Sequence, residues 1–274
     1  MKIKLISYAN KAFYKSQQEL KKSALKYGVN EVIDYNEIWL KKQTEFYKKN
    51  KKILSQKRGN GFWLWKPYII LDALKSMKDG DILIHIDAGT EFINPIGDII
   101  NVLRERDLLL FYNNGNINKL WTKRDCFYYM DCDNEKFHNP SQVVAGYIFC
   151  KKTPFVVGLM EEWLKYAEDE RIISDNPNTC GLKNYDKFKD HRHDQSILTN
   201  LAIKYNLELF RDPSQWGNKY KMETFRSEGE INEGGYVSNS FLNSPYSTIL
   251  NSHRTKLPLN FFDHLEYNSL RFKK

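Results

Sequence analysis

The decapeptide Ile82–Glu91 (ILIHIDAGTE) ends an apolar run on a carboxylate, Asp87, followed by the small residues Ala88 and Gly89. Ligands in open α/β sheets bind beyond the carboxyl ends of strands, so an aspartate delivered there stands where a site is expected. Such a carboxylate can hold Mg2+ or Mn2+ against a diphosphate, because hard cations take oxygen ligands and neutralise a departing phosphate. The same residue would also serve as an acid that merely opens a loop. A second carboxylate stands in His191–Asn200 (HRHDQSILTN). There Asp194 shares a helix face with Leu198, Leu201 and Tyr205, since steps of three and four residues align side chains. The macrodipole favours an acid in a first helical turn on its own account. His193 and Gln195 crowd the same helix end with further polar groups.

Three more segments carry chemistry of a compatible kind. In Arg58–Pro67 (RGNGFWLWKP) two glycines permit close backbone approach, and Arg58 and Lys66 flank a helix start at Pro67. A helix N-terminus with two cations makes a phosphate-binding surface, while Trp63 and Trp65 read equally well as core. In Thr122–Asp125 (TKRD), Lys123 and Asp125 open a helix, and Ala145-Gly146 within QVVAG leave room against the backbone for a ligand or for tight packing. Near the C-terminus, NSHRTK places His253, Arg254 and Lys256 together, as a site or as an ordinary basic surface. His85 alternates with Ile84 and Ile86 and is expected to pack in or beside the sheet; His138 and His264 show no partner. Cys126, Cys132, Cys150 and Cys180 match no zinc spacing and read as reduced thiols.

The elements that must position these groups alternate in kind. Strands are expected at Lys2–Tyr8, Val32–Tyr35, Ile82–Ile86, Asp107–Tyr112, Val143–Cys150 and Leu207–Phe210. Helices are expected at Phe13–Tyr27, Glu37–Gln56, Pro67–Met77, Ile96–Arg106, Trp121–Met130, Pro154–Ala167 and His193–Tyr205. Long polar loops fall at 171–190 and 227–246. Strands alternating with helices predict one α/β domain with a mostly parallel central sheet flanked by helices. The 274 residues, 14% aromatic and 41% hydrophobic, exclude a disordered chain. No apolar run reaches the ~20 residues that span a bilayer, and Met1–Ser7 forms no signal-peptide core, so a cytoplasmic protein is expected. The net charge of +8 suits a phosphorylated ligand, an anionic membrane surface or nucleic acid. The basic residues are spread widely without a nucleic-acid motif, so nucleic acid is the least favoured of the three.

In their order along the chain these segments resemble GT-A fold glycosyltransferases. Asp87 stands at the first acid of their Asp-x-Asp motif, and Gly89 occupies the place of the second. The string Arg58–Pro67 resembles the Gly-aromatic-Trp-Lys-Pro stretch of a group of bacterial and large-virus sugar transferases. The resemblance implies a single GT-A-like, Rossmann-like domain over 1–274 that moves a sugar from a nucleotide-sugar, UDP-linked by expectation. Its acceptor would be a hydroxyl of a glycan, a polysaccharide or a lipid-linked sugar, reached in peripheral contact with a membrane. It further implies Asp87 and His253 as ligands of Mn2+ or Mg2+, with one ligand lost at Gly89. Tyr8, Ala9 and Asn10 would wall the base, and Arg58, Lys66, Arg254 and Lys256 would meet phosphate. Asp125 and Asp194 would act on sugar or acceptor. Trp65, Ala88, Lys123, Ala145, Gly146, His193 and Gln195 would complete the donor pocket. With inversion Asp194 is the general base; with retention it positions the sugar. A nucleotidyltransferase of related fold, using a triphosphate and releasing pyrophosphate, is the alternative.

Overall fold

A computed structural model describes residues 1–219 and 242–270. Six strands form the central sheet: β1 (Ile3–Ala9), β2 (Glu31–Asn36), β3 (Ile82–Ile86), β5 (Leu108–Ile117), β6 (Ser141–Lys151) and β7 (Leu209–Phe210), in the order β2-β1-β3-β6-β5-β7. A separate ribbon pairs β4 (Thr90–Phe92) with β8 (Leu250–Ser252). β1 pairs in parallel with β2 and β3, and β5 with β7, whereas β6 runs antiparallel to both β3 and β5. Five strands thus point one way, and the expected mostly parallel α/β sheet is what forms. The reversed β6 brings its own first half, not its end, to the carboxyl edge of its neighbours, where Asp87 donates its N–H to Gly146 O at 2.9 Å.

Alternation within the strands divides the core into two layers, because successive side chains of a strand point to opposite faces. Leu5, Ile82, Ile84, Ile86 and Phe149 face helices α1 (Tyr14–Lys26) and α2 (Gly97–Arg104). Ile6, Leu83, Ile148 and Cys150 face three other helices, α3 (Trp65–Lys75), α4 (Pro154–Ala167) and α5 (Asp194–Lys204), which cover the second face. Thr153 caps α4 by accepting from Val156 N, Pro154 sits in its first turn, and Val156, Leu159, Met160, Trp163 and Ala167 form its buried stripe. At about 1.5–3 kcal/mol for each large apolar side chain, that stripe anchors the helix far more firmly than its cap. Trp163 Nε1 donates to Asp194 O at 3.1 Å and so ties α4 to the first residue of α5.

Some expected elements form differently. The stretch Glu37–Gln56 is three short helices, Glu37–Lys42, Thr44–Lys49 and Lys51–Leu54, instead of one. Gln43 leaves helical geometry at ψ 71°, and the buried Asn50 turns its amide back to Phe46 O and across to Glu168. Trp121–Met130 likewise splits into Asn118–Trp121 and Arg124–Tyr129 around an extended Thr122. The helix expected to begin at Pro67 begins at Trp65; proline is tolerated within a first turn, where its missing N–H has no helical partner to lose. The helical turn Glu170–Ile173 takes in the first three residues of the expected loop at 171–190, and residues 227–241 of the other expected loop lie outside the described residues. Among the described residues no helix is long and apolar enough to cross a membrane.

Candidate active site

A cleft of about 890 Å³ runs along the carboxyl edge of the sheet, from the end of β1 to β5. The β1 wall is Tyr8, Ala9 and Asn10, with the Tyr8 ring stacked on Trp65 at 4.1 Å and its hydroxyl accepting from Asn60 Nδ2 at 2.5 Å. Asn10 caps the turn at 11–13 by accepting from Ala12 N. Arg58–Trp65 folds in an unusual way. Gly59, Asn60, Gly61, Phe62 and Trp63 have φ of 56, 55, 96, 53 and 59°, a complete left-handed turn with Phe62 N donating to Arg58 O at 2.8 Å. L-residues visit this region singly, at roughly 1–2 kcal/mol each, so a run that includes Asn60, Phe62 and Trp63 is held by its surroundings. Trp65 Nε1 donates to Gly59 O, and Phe62 stacks on His193 at 4.9 Å. The turn therefore clamps the end of β1 to the start of α5. A side chain at Gly61 would force the backbone there to shift, since a Cβ would lie 2.7 Å from Leu54 Cα.

Three charged groups meet at the floor. Lys66, 2% exposed, projects from the first turn of α3 to Asp194 at 2.7 Å, to Asp87 at 3.5 Å and to Ala145 O at 3.1 Å. Burial lowers its pKa, but Asp194 and Asp87 more than offset this and leave it raised, so the ammonium stays charged. Asp194 is itself buried, and that desolvation raises its carboxyl to about 6 against the pull of Lys66. Asp87 keeps 41% of its side chain exposed, and Gly146 stands against it; a Cβ there would lie 3.1 Å from Asp87 Oδ2. His193 precedes Asp194 at φ 48°, ψ −114°, a strained conformation for a non-glycine residue. Its Nε2 contacts Asp175 at 2.9 Å, and burial lowers its pKa to about 4, so the ring is neutral at pH 7. Gln195 binds Ala145 N and the buried Gln142, fixing α5 to β6.

Of the expected site residues, Arg58, Ala88, Gly89, Ala145, Arg254 and Lys256 line the same cleft as those just described. Arg58 is held against the wall by Asp175 and Asp190. Three expected residues do not face the cleft. Asp125 is fully buried, and its carboxylate accepts from Thr179 N, Thr179 Oγ1 and Cys180 N. Lys123 points with it into the 174–180 loop, donating to Ser174 O and Asn176 O. Both residues fold that loop. His253 accepts from Thr255 N through Nδ1 and lies outside the lining. His85 is buried beneath Trp65 and Lys66, as the alternation predicts, and burial holds it neutral.

The cleft also holds a residue that sequence reasoning missed. Asp212 is buried, accepts from Ser214 N at 2.7 Å, and desolvation raises its pKa to about 6. The Asp-Pro-Ser triplet just past the last sheet strand was its one linear signal.

Of the two residues expected to hold a divalent cation, one lines the cleft. Asp87 faces the cleft and His253 does not, and among the described residues no group of three or more His, Cys, Asp or Glu converges in a geometry for metal.

No protein-family model and no curated protein matches the chain. Solved structures to which it is similar include mouse xyloside xylosyltransferase 1 in apo form (TM-score 0.46, 12% identity, 95% of this chain and 100% of that one). The galactosyltransferase LgtC, solved with donor and acceptor sugar analogues, gives a TM-score of 0.44 at 10% identity over 90% of this chain and 86% of that one. The bifunctional glycosyltransferase WbbM gives 0.41 at 10% identity over 73% of this chain, which spans 37% of WbbM.

Proposed function

We propose that the protein transfers a sugar from a nucleotide-diphosphate sugar to a hydroxyl acceptor. The observation that carries this reading is the buried Lys66 holding Asp194 and Asp87 at the carboxyl edge of β3, within a cleft that also runs past the end of β1. The base lies along Tyr8–Asn10, the diphosphate meets Arg254 and Lys256, and the sugar rests over Asp87, Ala88 and Gly146. The acceptor enters from the β5 end, beside Trp121, Asn113 and Gly115. Glycosyl transfer asks the protein mainly to orient two reactants and to offset the charge that grows on the leaving diphosphate. Cations at one end of the cleft and a carboxylate at its floor answer both demands.

Asp194 is the group that receives a sugar hydroxyl. Its carboxyl titrates near 6, so at neutral pH it is an anion poised as a hydrogen-bond acceptor and base. Lys66 keeps that anion in place and ionised. In a transfer with inversion Asp194 takes the proton of the acceptor hydroxyl; in a transfer with retention it fixes a hydroxyl of the donor.

The test is release of nucleoside diphosphate from a panel of nucleotide-sugars by the wild-type protein, Asp194→Asn and Asp87→Asn. Release by the wild type that falls in both variants supports the reading, and anomeric proton NMR of the product then gives the stereochemical course. No release by the wild type, or undiminished release in both variants, overturns it.

A further inference from the structure

We propose that this cleft binds the diphosphate of its donor without a divalent cation, with Arg254 and Lys256 supplying the positive charge directly. The inference rests on the donor reading above and deepens it at the leaving group. It starts from position 89. A Cβ on Gly89 would lie 2.8 Å from Arg254 Cα and 3.3 Å from Arg254 N, closer than nonbonded carbons approach. The obstacle is backbone, and it is pinned. Arg254 N donates to Gly89 O at 2.8 Å, and the adjoining ribbon pairs Thr90 with Ser252. No acidic side chain can therefore start at 89 without prising β4 from β8. The space that a second carboxylate would need belongs to an arginine, held there at φ 54°, a conformation that costs a non-glycine residue of the order of 1 kcal/mol.

The carboxylates that remain are engaged. Asp87 faces Lys66, and Asp212 accepts from Ser214 N while buried. The charge balance of the cleft points the same way. Among the described residues its lining carries seven lysines and arginines (Lys57, Arg58, Lys66, Lys189, Arg192, Arg254, Lys256) against three aspartates (Asp87, Asp194, Asp212). Adding Asp175 and Asp190, which pair with Arg58 without lining the cleft themselves, still leaves the cations in excess. A pocket that first captures a divalent cation gathers oxygen anions to do so. This one repels such a cation and attracts a diphosphate on its own account. Arginine also suits the task by chemistry, since its planar fork can hold two phosphate oxygens at once.

The experiment is calorimetric titration of the full chain with uridine, guanosine, adenosine and thymidine diphosphates, each in EDTA and in Mn2+. The expected result is a diphosphate whose Kd is the same within about threefold in the two buffers and which weakens as KCl is raised. Arg254→Ala weakens it by about tenfold or more in both buffers, and Arg254→Lys recovers part of the loss. Binding that appears only with Mn2+, or tightens by about tenfold on its addition, overturns the inference and leaves the donor reading standing. Undiminished binding by Arg254→Ala overturns it as well. Binding of no diphosphate in either buffer overturns the donor reading and this inference together.

Discussion

Replacing Lys66 with methionine removes the one cation between two carboxylates while keeping an unbranched side chain of similar reach. Asp194 then loses a partner at 2.7 Å. At an effective dielectric constant of about 20, a pair at that distance is worth roughly 6 kcal/mol before any relaxation. Opposite charges in folded proteins move carboxyl pKa values by about 1–3 units once water and side chains adjust. The carboxyl, at about 6 in the wild type, should therefore titrate between about 7 and 9 in Lys66→Met. Two readouts follow from one shift. Donor consumption requires the anion, so the wild-type rate rises with pH through about 6, and the variant's rise moves up by at least about one unit. Stability moves in the opposite sense. A carboxyl whose folded pKa is raised contributes stability that is complete below its unfolded value, 3.8, and is lost as pH climbs to the folded value. The variant keeps losing stability above pH 6, at about 1.4 kcal/mol per pH unit, until its own pKa is passed. Urea denaturation at several pH values between 5 and 9, with the pH–rate profile of both proteins, measures this. A stability gap independent of pH, or a rate profile that does not move, refutes the proposed coupling of Lys66 to Asp194.

Asp194→Asn should lower donor consumption by about 10²–10⁴-fold and erase the rise near pH 6, as a pH–rate profile will register. Asp125→Asn should cost about 2–4 kcal/mol in urea denaturation, because it unseats charged hydrogen bonds to Thr179 and Cys180. Burial would raise the Asp125 pKa, but those hydrogen bonds prevail and lower it, so its stabilisation is present above the unfolded value of 3.8 and the penalty should shrink as pH falls below it. Gly61→Ala should lose about 2–4 kcal/mol from strain plus collision with Leu54, whereas Gly80→Ala, also at positive φ but with open space around it, should lose only about 1. Equal losses at the two glycines would show that the collision is relieved.

Much of the frame was legible because its signals are local. The apolar run Ile82–Ile86 with Asp87 at its end, and Thr153-Pro154 before the stripe of α4, spell out a buried strand and a capped helix in consecutive residues. The direction of β6 was not legible: Ser141–Lys151 has the same pattern whichever way it runs, and only the long path back from β5 decides. Lys66 and Asp194 were each visible as charges at helix starts. Their contact joins residues 128 positions apart, and nothing in either segment announces that the lysine points inward. The burial of Asp125 is hidden in the sequence for a related reason, since the loop that folds back to meet it, through Thr179 and Cys180, is a stretch of Asn, Pro and Gly without periodicity. The contact between Gly89 and Arg254 joins β4 to β8, a ribbon whose two short strands carry too few residues to alternate visibly.

The left-handed turn at 59–63 bears on the order in which the molecule comes together and comes apart. Asn60, Phe62 and Trp63 together carry roughly 3–6 kcal/mol of backbone cost, a large share of the 5–15 kcal/mol that separates a typical folded domain from its unfolded chain. No isolated peptide of this sequence would hold such a coil, so it forms only after β1, α3 and the start of α5 have docked around it. It should also relax ahead of the sheet when those contacts loosen. Amides 59–64 should exchange with deuterium ahead of those in β3 and β6, and in mild denaturant the ligand cleft should dissolve while the sheet beneath it still stands.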